Sequence, residues 1–195
     1  MSILLTGVKI RGATIRPMDF GGLLTPSLGG ASQRVNRMGN RYAIDIELPP
    51  LPEEPDGRLF TALLEQAMTQ GAIFPVPQLA MKTLAAGSPV VGTAVTTGSS
   101  VALTGLTPNF MFRTGQFISF IHLGRRYLHR LTSTAYATQT GTVTIPIMPL
   151  LRTALSVGDV VEVEKPMIEG WIDIPSWNVL TAPFTSTRFS ITEAA

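Results

Sequence analysis

The sequence predicts a mainly β protein: an outer β domain, built from both ends of the chain, with one α-helix and a small β-barrel inserted into it. Three observations lead to this fold class. Apolar and polar residues alternate over many short stretches, as they do in half-buried strands. Helical periodicity is convincing only over residues 56–70. Eighteen glycines and fifteen prolines are spread along the chain, which suits short strands joined by turns.

The first predicted strands are Ile3–Ile10 and Tyr42–Leu48, where apolar and polar residues alternate. Because successive side chains of a strand point to opposite faces, Asp45 and Glu47 should share one face and their apolar neighbours the other. The proline-rich residues 49–52 should end this strand, since proline cannot donate to a β-ladder.

The predicted helix is Asp56–Gln70. Asp56 is a suitable N-cap residue, and Gly71 is suited to end the helix. Apolar residues recur at positions i, i+4 and i+8, which gives the helix an apolar stripe: Leu59, Leu63 and Ala67, with Phe60, Leu64 and Met68.

The stretch after the helix, Ile73–Ala80, is apolar but contains two prolines, so we expect an edge strand or an extended arm. Six short β segments follow, with Gly124-Arg125 as a two-residue hairpin turn. Their predicted bounds are Val90–Thr96, Ser100–Leu106, Gln116–Leu123, Arg126–Ala135, Gly141–Met148 and Asp159–Glu164, and the last strands are Trp171–Ile174 and Phe184–Thr192.

Two domains follow from this order of elements. An outer β domain would comprise residues 1–88 plus 168–195, and residues 89–167 would form the inserted barrel. The strands at the two ends of the chain would then pair with each other.

The composition excludes several classes of protein. The chain has no cysteine, so disulfide scaffolds and thiolate metal sites are excluded. Its high apolar content excludes disorder, and no apolar run is long enough to span a membrane. The first residues lack the pattern of a signal peptide.

Only 14% of residues are charged, against roughly 25% in an ordinary domain. This favours further burial against copies or partners, the alternative being a well-filled β core.

Charges fall in blocks along the chain. Residues 1–44 carry a net charge of +5, residues 45–65 carry −5, residues 66–158 carry +6 and residues 159–195 carry −4. The blocks could meet across subunit boundaries or inside one fold. Sequence-specific nucleic-acid binding is not expected, because the basic residues are too sparse and too rarely interleaved with aromatic ones.

No catalytic, cofactor-binding or metal-binding residue is predicted, and we expect no enzyme. His122 and His129 should lie on one face of the predicted hairpin, but a metal site needs a third protein ligand, and residues 66–158 contain no acid. The sequence also lacks the Gly-x-Ser-x-Gly motif of hydrolases and the glycine-rich loops that bind phosphate.

Residues 21–30 form a glycine-flanked apolar loop that we expect to order against a neighbouring subunit. A long hairpin connection is the alternative. The candidate interface residues are Gly21, Gly22, Leu23, Leu24, Leu28, Gly29 and Gly30.

A series of motifs along the chain resembles the distal tail proteins and other tail-tip components of long-tailed (siphovirus-like) bacteriophages. In order, these are residues 32–42 leading into Ala-Ile-Asp-Ile-Glu-Leu, the helix, Gly-Gln-Phe-Ile at 115–118 and Arg-Tyr-Leu-His at 126–129. Residues 141–152, Gly-Asp-Val-Val at 158–161 and Met-Ile-Glu-Gly-Trp at 167–171 complete the series.

The resemblance implies a tail-tube-like β-sandwich or split barrel with one helix, a hexameric ring of identical chains, and an outward-facing inserted β domain. The protein would be a structural component of the virion, assembled in the host cytoplasm and not itself inserted into a membrane. It would join the tail tube protein to the hub or fibre proteins of the tail tip. Candidates to face the lumen of the ring are Asp45, Glu47, Asp173 and Glu193.

Two alternatives remain open. The first is a carbohydrate- or receptor-binding β module in which Trp171, Trp177 and Tyr127 offer stacking surfaces. The second is a subunit of the tail tube itself or of a connector.

Overall fold

The computed structural model describes residues 2–5, 7–78, 85–179 and 184–194. One α-helix, α1 (Arg58–Gln70), lies within these residues. In chain order the strands are β1 (Ile3–Leu4), β2 (Gly12–Met18), β3 (Gly22–Leu24), β4 (Gln33–Val35), β5 (Arg41–Glu47), β6 (Leu51–Pro52), β7 (Ala72–Pro75), β8 (Gly87–Val91), β9 (Ser100–Leu106), β10 (Met111–Phe112), β11 (Phe117–His122), β12 (Arg125–Leu131), β13 (Ala135–Tyr136), β14 (Val143–Met148), β15 (Val160–Glu162), β16 (Met167–Val179) and β17 (Phe184–Glu193).

The larger sheet draws its strands from both ends of the chain. Its order is β1-β7-β16-β17-β5-β2, and β6 also pairs with β17. All pairs are antiparallel except β1 with β7. In β5, Tyr42, Ile44 and Ile46 are buried in the core, whereas Asp45 and Glu47 lie on the opposite, outer face. The predicted faces of this strand are therefore confirmed.

Helix α1 covers the inner face of the larger sheet. Phe60, Leu64 and Ala67 are buried at helical spacing. The helix ends at Gly71, as predicted: this residue adopts a φ of 87°, and its N–H donates to the carbonyl of Ala67 at 2.8 Å.

The predicted N-cap, Asp56, is wrong. A π-type turn, Glu53–Gly57, precedes the helix and contains Glu54 in a non-helical conformation. The N-cap position of α1 is Gly57, and no side chain bonds there. Because Asp56 lies inside the irregular turn, the N-cap position falls one residue later, at Gly57.

A closed six-stranded barrel forms from the middle of the chain, in the order β11-β12-β14-β9-β8-β15. Its interior is filled by apolar side chains such as Leu103, Phe120 and Ile145. The mainly β fold with one helix and a small barrel is thus confirmed. The exact division into residues 1–88 plus 168–195 and residues 89–167 stays a prediction.

Two buried carboxylates join the barrel to the larger sheet. Glu193, at the end of β17, accepts the backbone N–H of Leu128 at 2.6 Å and also pairs with Arg152. Glu169, on β16, accepts the N–H of Arg126 at 2.9 Å. Both backbone groups belong to β12, so carboxylates of the sheet satisfy donors along this barrel strand.

Several predicted strands differ from the structure. Among the described residues of the predicted strand Ile3–Ile10, only Ile3–Leu4 (β1) form a strand, and β1 pairs with β7 rather than with the last strand of the chain. The predicted edge strand Ile73–Ala80 is instead the interior strand β7, flanked by β1 and β16, and residues 79 and 80 lie outside the described residues. Strand β2 was not expected, because its sequence, Gly-Ala-Thr-Ile-Arg-Pro-Met, lacks sustained alternation.

The β11–β12 hairpin turns one residue earlier than predicted. Its turn residues are Leu123 and Gly124, with φ of 49° and 76°, rather than Gly124 and Arg125. A two-residue turn of this type needs positive φ at both central positions, and Gly124 occupies the second of them. Phe120 therefore lies opposite Tyr127.

A candidate assembly surface

A hairpin arm, residues 19–40, extends between β2 and β5. Its two short strands, β3 and β4, pair with each other and with no other strand in the described part of the chain. Three leucines of the arm are largely in water, with Leu23 65%, Leu24 58% and Leu28 98% exposed. Leucines in this number and this degree of exposure are unusual on the surface of a monomer and are typical of an interaction site.

The base of the arm is held by polar contacts. Arg34 forms an ion pair with Asp19 across the hairpin. The N–H of Phe20 donates to the side-chain oxygen of Asn40 at 2.7 Å. A Cβ at Gly21 would lie 2.8 Å from the carbonyl oxygen of Val35, so this position requires glycine. The arm therefore has a defined base although its apolar tip is exposed.

All seven predicted interface residues belong to this arm. Gly22, Leu23 and Leu24 form β3, and Gly29 adopts a φ of 78° near the tip. Gly21 is partly buried at the base, and the other six are exposed. The structure thus brings these residues together, and their contact with another subunit stays a prediction.

Strand β2 is the last strand at its side of the larger sheet. Its outer edge carries no neighbouring strand among residues 2–5, 7–78, 85–179 and 184–194. Pro17 lies within the strand, and proline is tolerated in sheets mainly at such edges. An open edge of seven residues offers backbone groups that another chain can pair with.

Three of the four lumen candidates share the outer face of the larger sheet. Asp45 and Asp173 lie on either side of Ser190, and Glu47 is opposite Arg188. Arginines neutralise this face: Arg16 bonds both oxygens of Asp45 at 2.7 and 2.8 Å. The hydrogen bond from Arg16 holds the pKa of Asp45 below its ordinary value, and Arg188 does the same for Glu47.

Glu193 does not belong to that face, and its prediction as a lumen residue is wrong. It lies on the same side of β17 as Phe189 and Ile191, with no exposed surface. Its carboxylate accepts the backbone N–H groups of Tyr42 and Leu128 and pairs with Arg152. Alternation along β17 places every odd-numbered residue toward the core and the barrel.

The two histidines are on one face of the β11–β12 hairpin and have separate partners. His122 Nδ1 lies 2.7 Å from a carboxylate oxygen of Asp159, and His129 Nδ1 lies 3.1 Å from the carbonyl of Pro149. Complete burial lowers the pKa of His129 to about 3. Among the residues that the structure describes, no three His, Cys, Asp or Glu side chains gather as metal ligands would.

The three aromatic residues proposed for glycan stacking do not share a surface. Trp171 lies opposite Thr192 on the outer face of the sheet, and Trp177 lies opposite Thr187, which points inward. The guanidinium of Arg152 lies 5.7 Å from the ring of Tyr127, in the barrel. These positions give a sugar no common stacking platform.

A groove beside the π-type turn was not anticipated from the sequence. It has a volume of about 510 Å³ and lies between Pro52, Trp177 and Phe184, with Glu53 and Glu54 at its rim. The acidic run Glu53, Glu54 and Asp56 was visible in the sequence, but its proximity to a tryptophan depends on the pairing of β6 with β17.

The sequence matches no model of a known protein family and no curated protein. Within the described part of the chain, no helix has the length and apolar character needed to cross a bilayer. The assignment of a function consequently depends on the arm, the open edge, the outer sheet face and the groove.

Proposed function

We propose that the protein is a structural subunit of a bacteriophage tail tip that assembles into a ring. In this role it joins the tail tube protein to the hub or fibre proteins, as the resemblance to distal tail proteins implies. A hexamer is the expected ring. The outer face of the larger sheet would line the lumen, where Asp45, Glu47 and Asp173 are balanced by nearby arginines and DNA would meet no net positive surface.

The arm is the observation that supports this proposal most strongly. Its leucines contribute little to the fold of a single chain because water surrounds them. Burial of one leucine side chain in a subunit contact would contribute about 1.5–3 kcal/mol. Several such side chains, together with the open edge of β2, supply the surface that a closed assembly buries.

Native mass spectrometry and negative-stain electron microscopy test the proposal. The wild-type chain is expected to form a closed ring at micromolar concentration. The substitution Leu28→Ser should weaken each subunit contact by roughly 10- to 150-fold, the equivalent of that burial energy. The melting temperature of the dissociated chain should not change, because Leu28 is 98% exposed.

Leu123→Ser is the matched control. Leu123 is 89% exposed on a turn of the barrel, so the same substitution removes a leucine of similar exposure outside the arm. Rings are expected to persist in this variant. A wild-type chain that remains monomeric at high concentration would contradict the proposed function, and binding of glycans by such a monomer would favour the carbohydrate-binding alternative.

A further inference from the structure

The groove beside the π-type turn combines an apolar floor with an acidic rim. Pro52, Trp177 and Phe184 line it, and Phe184 remains 41% exposed. Glu54 is paired with Arg58 at 2.8 Å. Glu53 and Asp56, in the same turn, have no ion-pair partner among the residues that the structure describes. A ligand that fits this groove should therefore be apolar with a basic flank.

The arm has that chemistry. The arm contains two arginines, Arg34 and Arg37, and one acidic residue, Asp19. Arg34 is paired with Asp19 at the base, whereas Arg37 has no carboxylate partner in the described part of the chain. The exposed leucines of the arm, together with the available Arg37 that follows β4, complement an apolar groove beside available carboxylates.

The arm and the groove lie at opposite ends of the same sheet. The arm leaves the sheet where Met18 pairs with Arg41, close to the Thr192 end of β17. The groove adjoins Phe184, at the other end of that strand. Eight residue steps separate these ends, about 26 Å at roughly 3.3 Å per residue. The chain's own arm lies away from its own groove.

We infer that this groove receives the arm of a second copy of the chain, with the leucines of the tip against Trp177 and Phe184 and Arg37 beside Glu53 and Asp56. This inference rests on the proposed ring. Because the arm and the groove lie at opposite ends of the sheet, their contact is heterologous, or head to tail. A repeated head-to-tail contact either closes a ring or extends a filament.

Cysteine cross-linking tests which surfaces meet. The natural chain has no cysteine, so introduced thiols report without background. The variant L28C/F184C, treated with a short bismaleimide, should give a ladder of covalent oligomers. The control L28C/V157C carries its second thiol on an exposed barrel position and should give no ladder beyond the dimer. A ladder in the control and none in the test variant would overturn the inference.

Mixing experiments test the head-to-tail character of the contact. A copy with a defective arm, L24S/L28S, and a copy with a defective groove, F184S with E53R, should each be monomeric. Their mixture has one intact arm and one intact groove available to each other, so it should form a one-to-one heterodimer and no ring. If residues 37 and 53 of neighbouring copies are in contact, the charge-swapped variant E53R/R37E should assemble better than E53R alone.

The outcomes separate this inference from the proposed function. If the groove variants form the same rings as the wild type, the arm docks elsewhere and the inference fails, while the ring survives. If the wild type forms no ring, the proposed function fails. Circular dichroism of F184S confirms that the variant is folded, and the charge variant E53R alone provides a second test with little risk to folding because Glu53 is exposed.

Discussion

Loss of the Glu193 carboxylate should destabilise the whole molecule, because this group joins the larger sheet to the barrel. Its side chain is fully buried and its partner Arg152 is only 5% exposed. Burial raises the pKa of Glu193, and Arg152 together with the N–H groups of Leu128 and Tyr42 opposes that shift. The substitution Glu193→Gln leaves the guanidinium without its counter-charge and turns an amide N–H₂ toward one of these donors.

Breaking a buried ion pair by changing one partner costs about 3–5 kcal/mol. For a chain of this size, each kcal/mol corresponds to roughly 2–4 °C, so the melting temperature should fall by about 6–20 °C. Urea denaturation followed by tryptophan fluorescence measures the loss in the larger sheet, since both tryptophans are on β16. Far-UV circular dichroism follows both parts of the molecule.

Glu47→Gln is the matched control, because Glu47 is also paired with an arginine but lies on the exposed outer face. Exposed pairs contribute little to stability because water screens the two charges, so this variant should remain near wild-type stability. The double variant R152M/E193Q should cost less than the sum of its single variants, which measures the coupling of the pair. A loss in Glu193→Gln no larger than that in Glu47→Gln would refute the role of the carboxylate.

Three further predictions concern single positions. The pKa of His129 is about 3 in the folded protein, against 6.5 for a free histidine, so between these pH values the unfolded chain binds a proton that the native one does not. The free energy of unfolding should therefore fall by about 1.4 kcal/mol per pH unit as the pH drops from 6.5 toward 3. His129→Phe should remove this dependence, which urea midpoints at pH 7, 5 and 4 measure. Leu123→Asn should raise the free energy of unfolding by about 1 kcal/mol, since asparagine tolerates the positive φ of this turn better than leucine, and an unchanged urea midpoint would contradict this. Gly170→Ala should cost at least about 2 kcal/mol because its Cβ would overlap the carbonyl oxygen of Thr192, whereas Gly12→Ala, with open space around it, should not be destabilising; thermal melts of the two variants compare them directly.

The sequence predicted those elements in which a single repeat, helical or alternating, determines which side chains are buried. The apolar stripe of α1 predicted the helix because Phe60, Leu64 and Ala67 face one core. Tyr42–Leu48 was predicted because β5 has a core on one side only. Strand β2 escaped prediction for a related reason: as an edge strand it is mostly exposed, so burial imposes little alternation on its sequence.

The polar junction could not be predicted from local pattern. Glu193 reads as a polar residue at the end of an alternating strand, and nothing nearby in sequence marks it as buried. Its donors come from Tyr42, Leu128 and Arg152, which are distant along the chain. The groove could not be predicted for the same reason: the acidic turn and Phe184 are distant along the chain and meet through the pairing of β6 with β17. In contrast, the arm could be predicted, because two pairs of glycines flank an apolar segment that lacks the apolar–polar alternation of a strand.

The junction also fixes the base of the arm, and this connection matters for ring closure. Arg41 begins β5 directly after the arm, and its guanidinium donates to the backbone carbonyl of Glu193 at 3.3 Å. The same guanidinium lies 4.9 Å from the ring of Phe20 at the other side of the arm's base. A closed ring needs the same rotation between neighbouring subunits at every contact. A variable angle between the arm and the groove that receives it would give open chains instead. Because Arg41 ties both sides of the arm to the residue that holds sheet and barrel together, the direction of the arm is set relative to the rest of the subunit, as a closing head-to-tail contact requires.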